Sequence, residues 1–464
     1  MQHGKEDNHM SDNLNELIDK YNVATPRYTS YPTVPCWNEA SFSAAGWITQ
    51  LQKNFGQDPA QGISVYIHLP FCESLCTYCG CNTRITKNHQ VEAPYINAVI
   101  KEWQMYRTIL GNQPLRIKEI HLGGGTPTFF APENLRQLIA AVLEGNTLDA
   151  NPAFSFEAHP ANTSAEHLQV LYDVGFRRLS LGIQDFDPEV QRVINRKQSV
   201  EDVKVVMEQA RAIGYTSINF DLIYGLPLQT LHSVFDTITV ALSMKPERIS
   251  FYSYAHVPWI KPGQRHFSEK DLPVGKEKMD LYKLGKGMIV EAGYKEVGMD
   301  HFALPGDSLL LASENGALHR NFMGYTDSYT PILIGLGVSS ISDAWSAYAQ
   351  NVKTVEEYYR LLDQNELPVL RGHVLSKDDE QSRRYILEMM CRYKVVLDPK
   401  DRSKNAQIIK RLQSLRTDGL VRVKDNVVRA TPLGKALIRN VCTAFDEYLH
   451  QETDTLPVRF SQAV

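Results

Sequence analysis

The chain has 464 residues, of which 43% are hydrophobic and 22% charged, and its formal net charge is -4 at pH 7. This length exceeds one ordinary domain and allows a catalytic domain with smaller additions. With no long basic run, the sequence predicts neither a nucleic-acid nor an anionic-membrane partner. No window resembles a membrane span, and the polar start resembles neither a signal nor a transit peptide. We therefore expect a cytoplasmic protein that acts on a small molecule.

Short apolar runs alternate with amphipathic segments after the polar start. The apolar runs predict six strands, at residues 63–69, 117–122, 154–158, 177–183, 217–223 and 248–254. The segments between them predict helices near residues 92–110, 132–144, 164–174, 200–213 and 231–243. Repeated β-α units form parallel sheets with right-handed crossovers. The pattern predicts an α/β fold, an incomplete (βα)6 barrel with its chemistry at the carboxyl ends of the strands.

Beyond about residue 370 the composition shifts to charged helical segments. We predict helices at 376–395 and 402–417, a hairpin in LVRVKDNVVRA (420–430) and a last helix at 432–450. This pattern resembles a small winged-helix-like domain. The predicted organisation is an N-terminal arm (1–60), a catalytic domain with its extension (61–370) and a mainly helical C-terminal domain (371–464).

Polar or glycine-rich segments follow every predicted strand. In chain order they are the cysteine run from Cys72, GGGTPT (123–128), Glu157 with His159, Gln184 with Asp185, Asp221 with Tyr224-Gly225, and Tyr254-Ala255-His256. Because the carboxyl ends of parallel strands meet at one face, these segments are expected to form one site. The GGGTPT loop is expected to bring backbone N–H groups close to an anionic ligand, although a tight strand-to-helix turn is the plainer interpretation.

Four cysteines, Cys72, Cys76, Cys79 and Cys81, lie within ten positions, whereas the other three are isolated and are interpreted as buried apolar residues. An odd total of seven in a reducing compartment favours metal binding over disulfides. Structural zinc sites usually use two separated ligand pairs, unlike this C-x3-C-x2-C-x-C run, so a zinc loop is the weaker alternative. Three thiolates separated by three and then by two residues can bind three irons of an iron-sulfur cubane and leave a coordination position of the fourth iron open.

The cysteine spacing, with Tyr78 before the last ligand, and the GGGTPT loop together resemble the radical S-adenosylmethionine (SAM) superfamily. The resemblance implies one 4Fe-4S cluster held by Cys72, Cys76 and Cys79, whose free iron binds SAM. A reduced cluster then passes one electron into a C–S bond of SAM and releases a 5'-deoxyadenosyl radical. Cys81 is not a ligand in this interpretation and is expected to line the site.

Longer matches narrow the resemblance and cover nearly the whole chain. They include PRYTSYPT (26–33), VYIHLPFC (65–72), RLSLGIQDFDPEVQRVINR (178–196), DLIYGLP (221–227), YAHVP (254–258), GMDHFA (298–303) and LGVSSIS (336–342). Together they are similar to the oxygen-independent coproporphyrinogen III oxidase family. The resemblance implies that two propionates of coproporphyrinogen III become vinyl groups, giving protoporphyrinogen IX in anaerobic heme biosynthesis. It also implies two bound SAM molecules and an electron donor such as flavodoxin or ferredoxin; we expect a monomer.

The resemblance transfers roles only to matching positions. It places the first SAM against Tyr66, Gly124, Glu157 and Ile341. It places the second SAM against Tyr78, Gly125, Thr126, Gln184, Arg196, Asp221 and Ala255. The candidate catalytic residues are Tyr66, His68 and Cys81.

Several of these residues also have plainer interpretations. On sequence alone Glu157 fits the end of a surface strand, and Arg196 fits a solvated helix position. A hydrogen-bonded core histidine is the default for His68. Arg27 in PRYTSYPT could meet a substrate carboxylate, or the segment could simply fasten the N-terminus.

Two positions depart from the family pattern, namely His159-Pro160 where Asp-Pro is expected and Met323 where Gln is expected. Methionine cannot replace the hydrogen bonds of glutamine, so details of substrate contact are expected to differ. Two alternative functions remain within the superfamily, a heme-binding chaperone and a radical methyltransferase that opens the heme ring. The PRYTSYPT segment favours the oxidase over the chaperone.

Overall fold

The structure is a computed structural model that describes Leu17, residues 20–37, residues 42–450 and Phe460. Parts of the predicted N-terminal arm and of the last segment therefore lie outside the described residues. A sheet of 12 strands runs through the described part of the chain. No helix among these residues is long and apolar enough to cross a membrane.

Six neighbouring parallel strands form the barrel, and all six predicted strands are confirmed. Their bounds are Ile63–Leu69, Arg116–Gly124, Thr147–Ala158, Arg178–Gln184, Ser217–Tyr224 and Arg248–Ser253. The third strand starts earlier than predicted because its polar first residues pair with the start of the second strand. The barrel is incomplete, as predicted: the first strand pairs with Leu333–Leu336, and the sixth pairs antiparallel with His301–Ala303.

Helices cross from each strand to the next, and the predicted ones are confirmed. They span Glu92–Ile109, Pro132–Leu143, Ala165–Asp173, Val200–Ile213 and Leu231–Ser243, with a short extra helix at Pro188–Val193. Local sequence explains their limits: Ser164, Ser199 and Thr230 each form a capping box, and Gly214 ends its helix at φ 116°. Each helix buries one apolar stripe against the sheet.

The sheet continues beyond the barrel on both sides. Its additional strands are Lys295–Val297 and His301–Ala303 on one side, and Leu333–Leu336, Ile341–Asp343, Ala347–Asn351 and Val369–Val374 on the other. The helices in these regions are Ala44–Gln57, Lys276–Glu291, Ser308–Glu314 and Val355–Asp363. Two small separate pairs are Phe71–Cys72 with Arg84–Ile85, and His319–Asn321 with Gly324–Thr326.

The C-terminal region has the predicted helices and hairpin. Helices Lys377–Arg392 and Arg402–Thr417 accompany a three-stranded sheet of Lys394–Val396, Val421–Lys424 and Val427–Ala430. The prediction of one helix over 432–450 is wrong, since the segment forms Pro432–Ala436, Ile438–Cys442 and two 3-10 turns. Leu437 leaves the helical conformation at ψ 33°, and beyond it Arg439 and Asn440 donate hydrogen bonds to carbonyls of residues 21–26. These tertiary contacts outweigh the helical pattern.

Two large apolar clusters hold these layers together. One lies between the barrel strands and their helices, and the other joins the C-terminal region to Tyr28 and Tyr31 of the PRYTSYPT segment. Cys391 and Cys442 are buried, as predicted, but Cys36 is only partly buried because it ends a short turn near the surface.

A buried carboxylate ties the first barrel helix to the extension of the sheet. Glu102 is 0% exposed and accepts hydrogen bonds from Gly337 N–H (2.8 Å), Tyr358 O–H (2.6 Å) and Asn351 Nδ2 (2.7 Å). Burial raises the pKa of Glu102 to about 7 even though all three bonds act in the opposite direction. The folded protein therefore holds a proton at Glu102 at pH values where the unfolded chain has lost it.

We expect this carboxylate to make stability depend on pH. Because its folded pKa lies above its unfolded pKa, its stabilising effect is complete below about pH 4.5 and is lost as pH rises through 7, about 3 kcal/mol in all. The variant Glu102→Gln has no titratable side chain at this position, so the pH dependence disappears. Its amide N–H group also faces one of the three hydrogen-bond donors that surround Glu102 in the wild type. Urea unfolding should therefore show a larger loss of stability for the variant at pH 5 than at pH 8.

The control is Glu133→Gln, at an exposed position on the next helix. It should change the unfolding free energy by less than about 0.5 kcal/mol at either pH. An equal loss at pH 5 and pH 8 for Glu102→Gln would contradict the proposed proton at this site.

Candidate active site

A cavity of about 480 Å³ opens at the carboxyl ends of the barrel strands, a size ordinary for small-molecule sites. Most of the predicted site residues line it: Cys72, Cys76, Tyr78, Cys79, Cys81, Gly124, Gly125, Thr126, Glu157, Gln184, Arg196 and Asp221. They come from five of the six barrel strands or from the loops that follow them. The expectation that the strand ends form one site is therefore met for the first five strands, whereas the segment 254–256 after the sixth strand is not part of the lining.

Four predicted residues, Tyr66, His68, Ala255 and Ile341, are not part of this lining as the described residues form it. The Tyr66 hydroxyl lies 3.0 Å from His68 Nδ1, and His68 Nε2 lies 2.8 Å from the carbonyl of Asn82. Burial lowers the pKa of His68, so its imidazole is neutral. Both ring nitrogens are engaged, which matches the plainer interpretation of a hydrogen-bonded core histidine.

The three predicted cluster ligands are partly buried, each with a different polar neighbour. Cys72 Sγ lies 3.4 Å from Thr126 Oγ1, Cys76 Sγ lies 3.8 Å from Arg196 Nη1, and Cys79 Sγ accepts the N–H of Cys81 at 3.4 Å. Burial raises the pKa of Cys72 to about 11, whereas a hydrogen bond from the Cys81 side chain lowers the pKa of Cys79. Cys81 is therefore a hydrogen-bond partner of Cys79 in this structure.

These thiols fit an iron-sulfur cluster by the chemistry of the donor set. Within the described part of the chain, no three His, Cys, Asp or Glu side chains are placed to bind a single metal ion. A cubane does not require that, because each cysteine binds a different iron. Three thiols on the wall of one cavity, with a buried guanidinium beside them, suit a cluster that carries negative charge.

The glycine loop packs tightly against the start of the cysteine loop. Gly124 has φ 113°, and a Cβ there would lie 2.6 Å from the His68 ring. A Cβ at Gly125 would lie 2.6 Å from the carbonyl oxygen of Pro70. The N–H groups of Gly124, Gly125 and Thr126 donate within the chain, to Glu157, Leu69 and Phe71, respectively, and the expected ligand contact of this loop stays a prediction. The glycines serve close packing.

Two carboxylates lie on the cavity wall in different electrostatic settings. Burial would raise the pKa of Glu157, but His121, 3.5 Å away, and the N–H of Gly124 lower it, so the group is ionised. Burial raises the pKa of Asp221, although Ser180 and Asn219 donate to its two oxygens at 2.7 and 2.9 Å. The Glu157 side chain is 44% exposed, near the carboxyl end of its strand and on the wall of the cavity.

Arg196 is only 7% exposed, so its interpretation as a solvated helix residue is wrong. Its guanidinium donates to Gln198 Oε1 at 3.1 Å and to the carbonyl of Gly182, and it lies 3.5 Å from the Tyr78 hydroxyl. These contacts hold a positive charge beside the cysteines.

The structure explains one of the two departures from the family pattern. His159 lines the cavity, and its Nδ1 accepts the N–H of Ala161 at 3.2 Å, as an aspartate at this turn would. Burial and the charge of Arg196 lower its pKa to about 3, so the ring is neutral. Met323 instead lines a second cavity of about 130 Å³ inside the barrel.

Sequence reasoning missed two residues that lie beside the predicted ones. His121 contacts Glu157, and its ring stacks on Tyr66 with centroids 5.9 Å apart. Tyr252 lines both cavities. Each lies two residues before a predicted segment on the same strand. Because side chains two residues apart in a strand lie on the same face, this spacing was the signal in the sequence that could have identified them.

Arg27 reaches the same end of the barrel. Its Nη2 donates to the carbonyl of Ser253 at 2.7 Å, at the end of the sixth strand. The PRYTSYPT segment therefore both packs on the C-terminal region and contacts the barrel near the strand ends.

Comparison with known proteins agrees with this geometry. The radical SAM superfamily model matches residues 66–241. An oxygen-independent coproporphyrinogen III oxidase of Escherichia coli is 37% identical, covering 94% of this chain and 95% of its own, and one of Synechocystis is 36% identical, covering 94% and 96%. The solved structure of coproporphyrinogen III oxidase from Escherichia coli, a radical SAM enzyme, aligns with a TM-score of 0.86 at 36% identity, covering 91% of this chain and 97% of that one. The chain belongs to the oxygen-independent coproporphyrinogen III oxidase family of the radical SAM superfamily.

Proposed function

We propose that this chain converts two propionate side chains of coproporphyrinogen III to vinyl groups, giving protoporphyrinogen IX in anaerobic heme biosynthesis. Each conversion removes one hydrogen atom, one CO2 and one electron from a propionate. The observation that carries the proposal is the cavity at the strand ends, which is lined by three cysteines together with Glu157 and Arg196. Family membership supports it, because relatives with this activity in their name match 94% of the chain.

The residues present fit the two cofactors that the superfamily uses. Cys72, Cys76 and Cys79 would hold one 4Fe-4S cluster, and this cluster with SAM supplies the radical that abstracts hydrogen. We propose two SAM sites. The first is formed by Tyr66, Gly124, Glu157 and Ile341, and the second by Tyr78, Gly125, Thr126, Gln184, Arg196, Asp221 and Ala255.

The charges of the wall suit a ligand with an ammonium, a carboxylate and hydroxyl groups. Ionised Glu157 accepts hydrogen bonds from an ammonium group, and Arg196 adds a buried positive charge for a carboxylate. Asp221 Oδ1 and Oδ2 have lone pairs for hydroxyl donors. The wall therefore orients such a ligand by charge as well as by shape.

Three residues remain candidates for a catalytic role. Cys81 lies on the cavity wall beside Cys79, and its backbone N–H donates to Cys79 Sγ. Tyr66 and His68 form a pair whose imidazole packs against Gly124, so they fix the glycine loop in place. Coproporphyrinogen III as substrate, a flavodoxin-like or ferredoxin-like donor and a monomeric state complete the proposal.

The direct test is turnover with the reconstituted protein. After anaerobic assembly and reduction of the cluster, coproporphyrinogen III and SAM should yield protoporphyrin, measured by fluorescence after oxidation, and 5'-deoxyadenosine, measured by chromatography. Serine at Cys72, Cys76 or Cys79 should abolish both products because an alcohol does not replace a thiolate ligand. If the wild-type protein has an intact cluster and cleaves SAM but forms no protoporphyrin, the proposal is contradicted.

The matched control for these substitutions is Cys36→Ser, at a partly buried cysteine outside the cavity. It should retain both products and the iron content of the wild type. Loss of activity in the control would show that the ligand variants report general damage.

Cys81→Ser tests whether the fourth cysteine is a ligand. We expect the variant to assemble a cluster with the wild-type absorption spectrum and iron content, because Cys81 is a hydrogen-bond partner of Cys79 and the three other thiols are unchanged. A variant that binds less iron, or whose visible spectrum is lost, would refute the non-ligand role.

A further inference from the structure

A buried glutamine joins the cysteine loop to the exit of the sixth barrel strand. Gln264 lies in the short 3-10 helix Pro262–His266 and is only 1% exposed. Its Oε1 accepts the N–H of Val257 at 2.6 Å, and its Nε2 donates to the carbonyls of Tyr78 at 2.9 Å and Ala255 at 3.2 Å. A single side-chain amide therefore forms hydrogen bonds to three backbone groups, one as acceptor and two as donor.

The two carbonyls come from distant parts of the chain. Tyr78 precedes the cluster ligand Cys79, whereas Ala255 follows the sixth strand. Burying an amide is costly unless it is hydrogen-bonded, so this arrangement is stable only while both segments keep their places. The amide thus fixes the distance between two segments that no regular sheet pairing joins directly.

Residues beside Gln264 contact the same part of the cysteine loop. Lys261 Nζ donates to the carbonyl of Cys81 at 3.0 Å. A Cβ at Gly263 would lie 3.6 Å from the carbonyl oxygen of Thr77, which is ordinary contact distance. Residues 261–264, here called the clasp, therefore meet the cysteine loop along Thr77 to Cys81.

The first half of the cysteine loop is held elsewhere. Asn195 donates to the carbonyl of Leu75 at 2.7 Å, and Thr77 donates from its N–H to the carbonyl of Ile194 at 2.9 Å and from its hydroxyl to that of Val193 at 3.0 Å. The clasp thus adds its contacts on the side of the loop that carries Tyr78, Cys79 and Cys81.

We propose that Gln264 is a positioning residue for the second SAM site. It holds the backbone of Tyr78, which lines the cavity, next to that of Ala255 at the exit of the sixth strand, and so sets where Tyr78 lies on the cavity wall. The inference rests on the proposed function, in which both residues contact the second SAM. Glutamine suits the task because glutamate could accept but not donate, and methionine of similar length could do neither.

The test compares Gln264→Met and Gln264→Glu with the wild type, each as the reconstituted holoprotein. Equilibrium dialysis with labelled SAM should show a first equivalent bound as in the wild type, and a second bound about ten- to a hundredfold more weakly, as expected for two or three lost buried hydrogen bonds. Iron content should not change. Hydrogen exchange of peptides covering residues 78–81 should be faster in both variants.

The matched control is Gln52→Glu. Gln52 also donates from Nε2 to a backbone carbonyl of another element, that of Ile109 at 2.9 Å, but it is exposed and distant in sequence from both segments. It should leave SAM binding, iron content and exchange unchanged. Circular dichroism identifies any variant that fails to fold, in which case the other Gln264 variant decides the test.

Each outcome bears on a separate statement. Unchanged exchange at residues 78–81 overturns the positioning role, and an unchanged second equivalent with faster exchange overturns its link to SAM. Loss of iron together with both equivalents overturns the selective role, because the clasp would then support the cluster itself. A wild-type protein that binds one SAM contradicts the two-site proposal, and exchange alone then decides whether Gln264 positions the loop.

Discussion

The close backbone contact between the glycine loop and the end of the first barrel strand is the constraint on which the site depends. A side chain at Gly124 would collide with His68, and one at Gly125 with the backbone at Pro70. Since the cysteine loop starts at that point, the contact sets where Cys72 enters the cavity relative to the second strand. Protein interiors are too tightly packed to accommodate such collisions. The position of the cysteine loop therefore depends on the absence of side chains at Gly124 and Gly125.

Burial gives the charges of the site their effect. Glu157 stays ionised because His121 and a backbone N–H offset the cost of burial, whereas the pKa of Asp221 is raised. Arg196 is held by carbonyl and amide oxygens and keeps its charge beside Cys76. In a low-dielectric cavity these differences are larger than they would be in water, so the wall presents distinct positive and negative regions to a ligand.

Segments distant in sequence complete the barrel end. Arg27 contacts the end of the sixth strand, Gln264 binds the cysteine loop, and Glu102 ties the first helix to Gly337 in the extension of the sheet. An incomplete barrel leaves strand edges and loops that need such partners. The C-terminal region and the PRYTSYPT segment share one apolar cluster, so the additions to the barrel are bound to each other as well as to it.

The sequence by itself determined the β-α order, the six strands, the crossover helices and most of the cavity lining, because periodic apolar runs and capping residues are local signals and strand ends meet at one face. It also determined the family through long matching segments. Only the tertiary structure decided the features that depend on contacts between distant residues. These features are the broken helix near Leu437, the hydrogen bonds of the glycine N–H groups within the chain and the neutral state of His159. The contacts of His121, Tyr252 and Gln264 are features of the same kind. These depend on which groups burial brings together, and residue spacing along a chain does not encode burial or the electrostatic environment of a side chain.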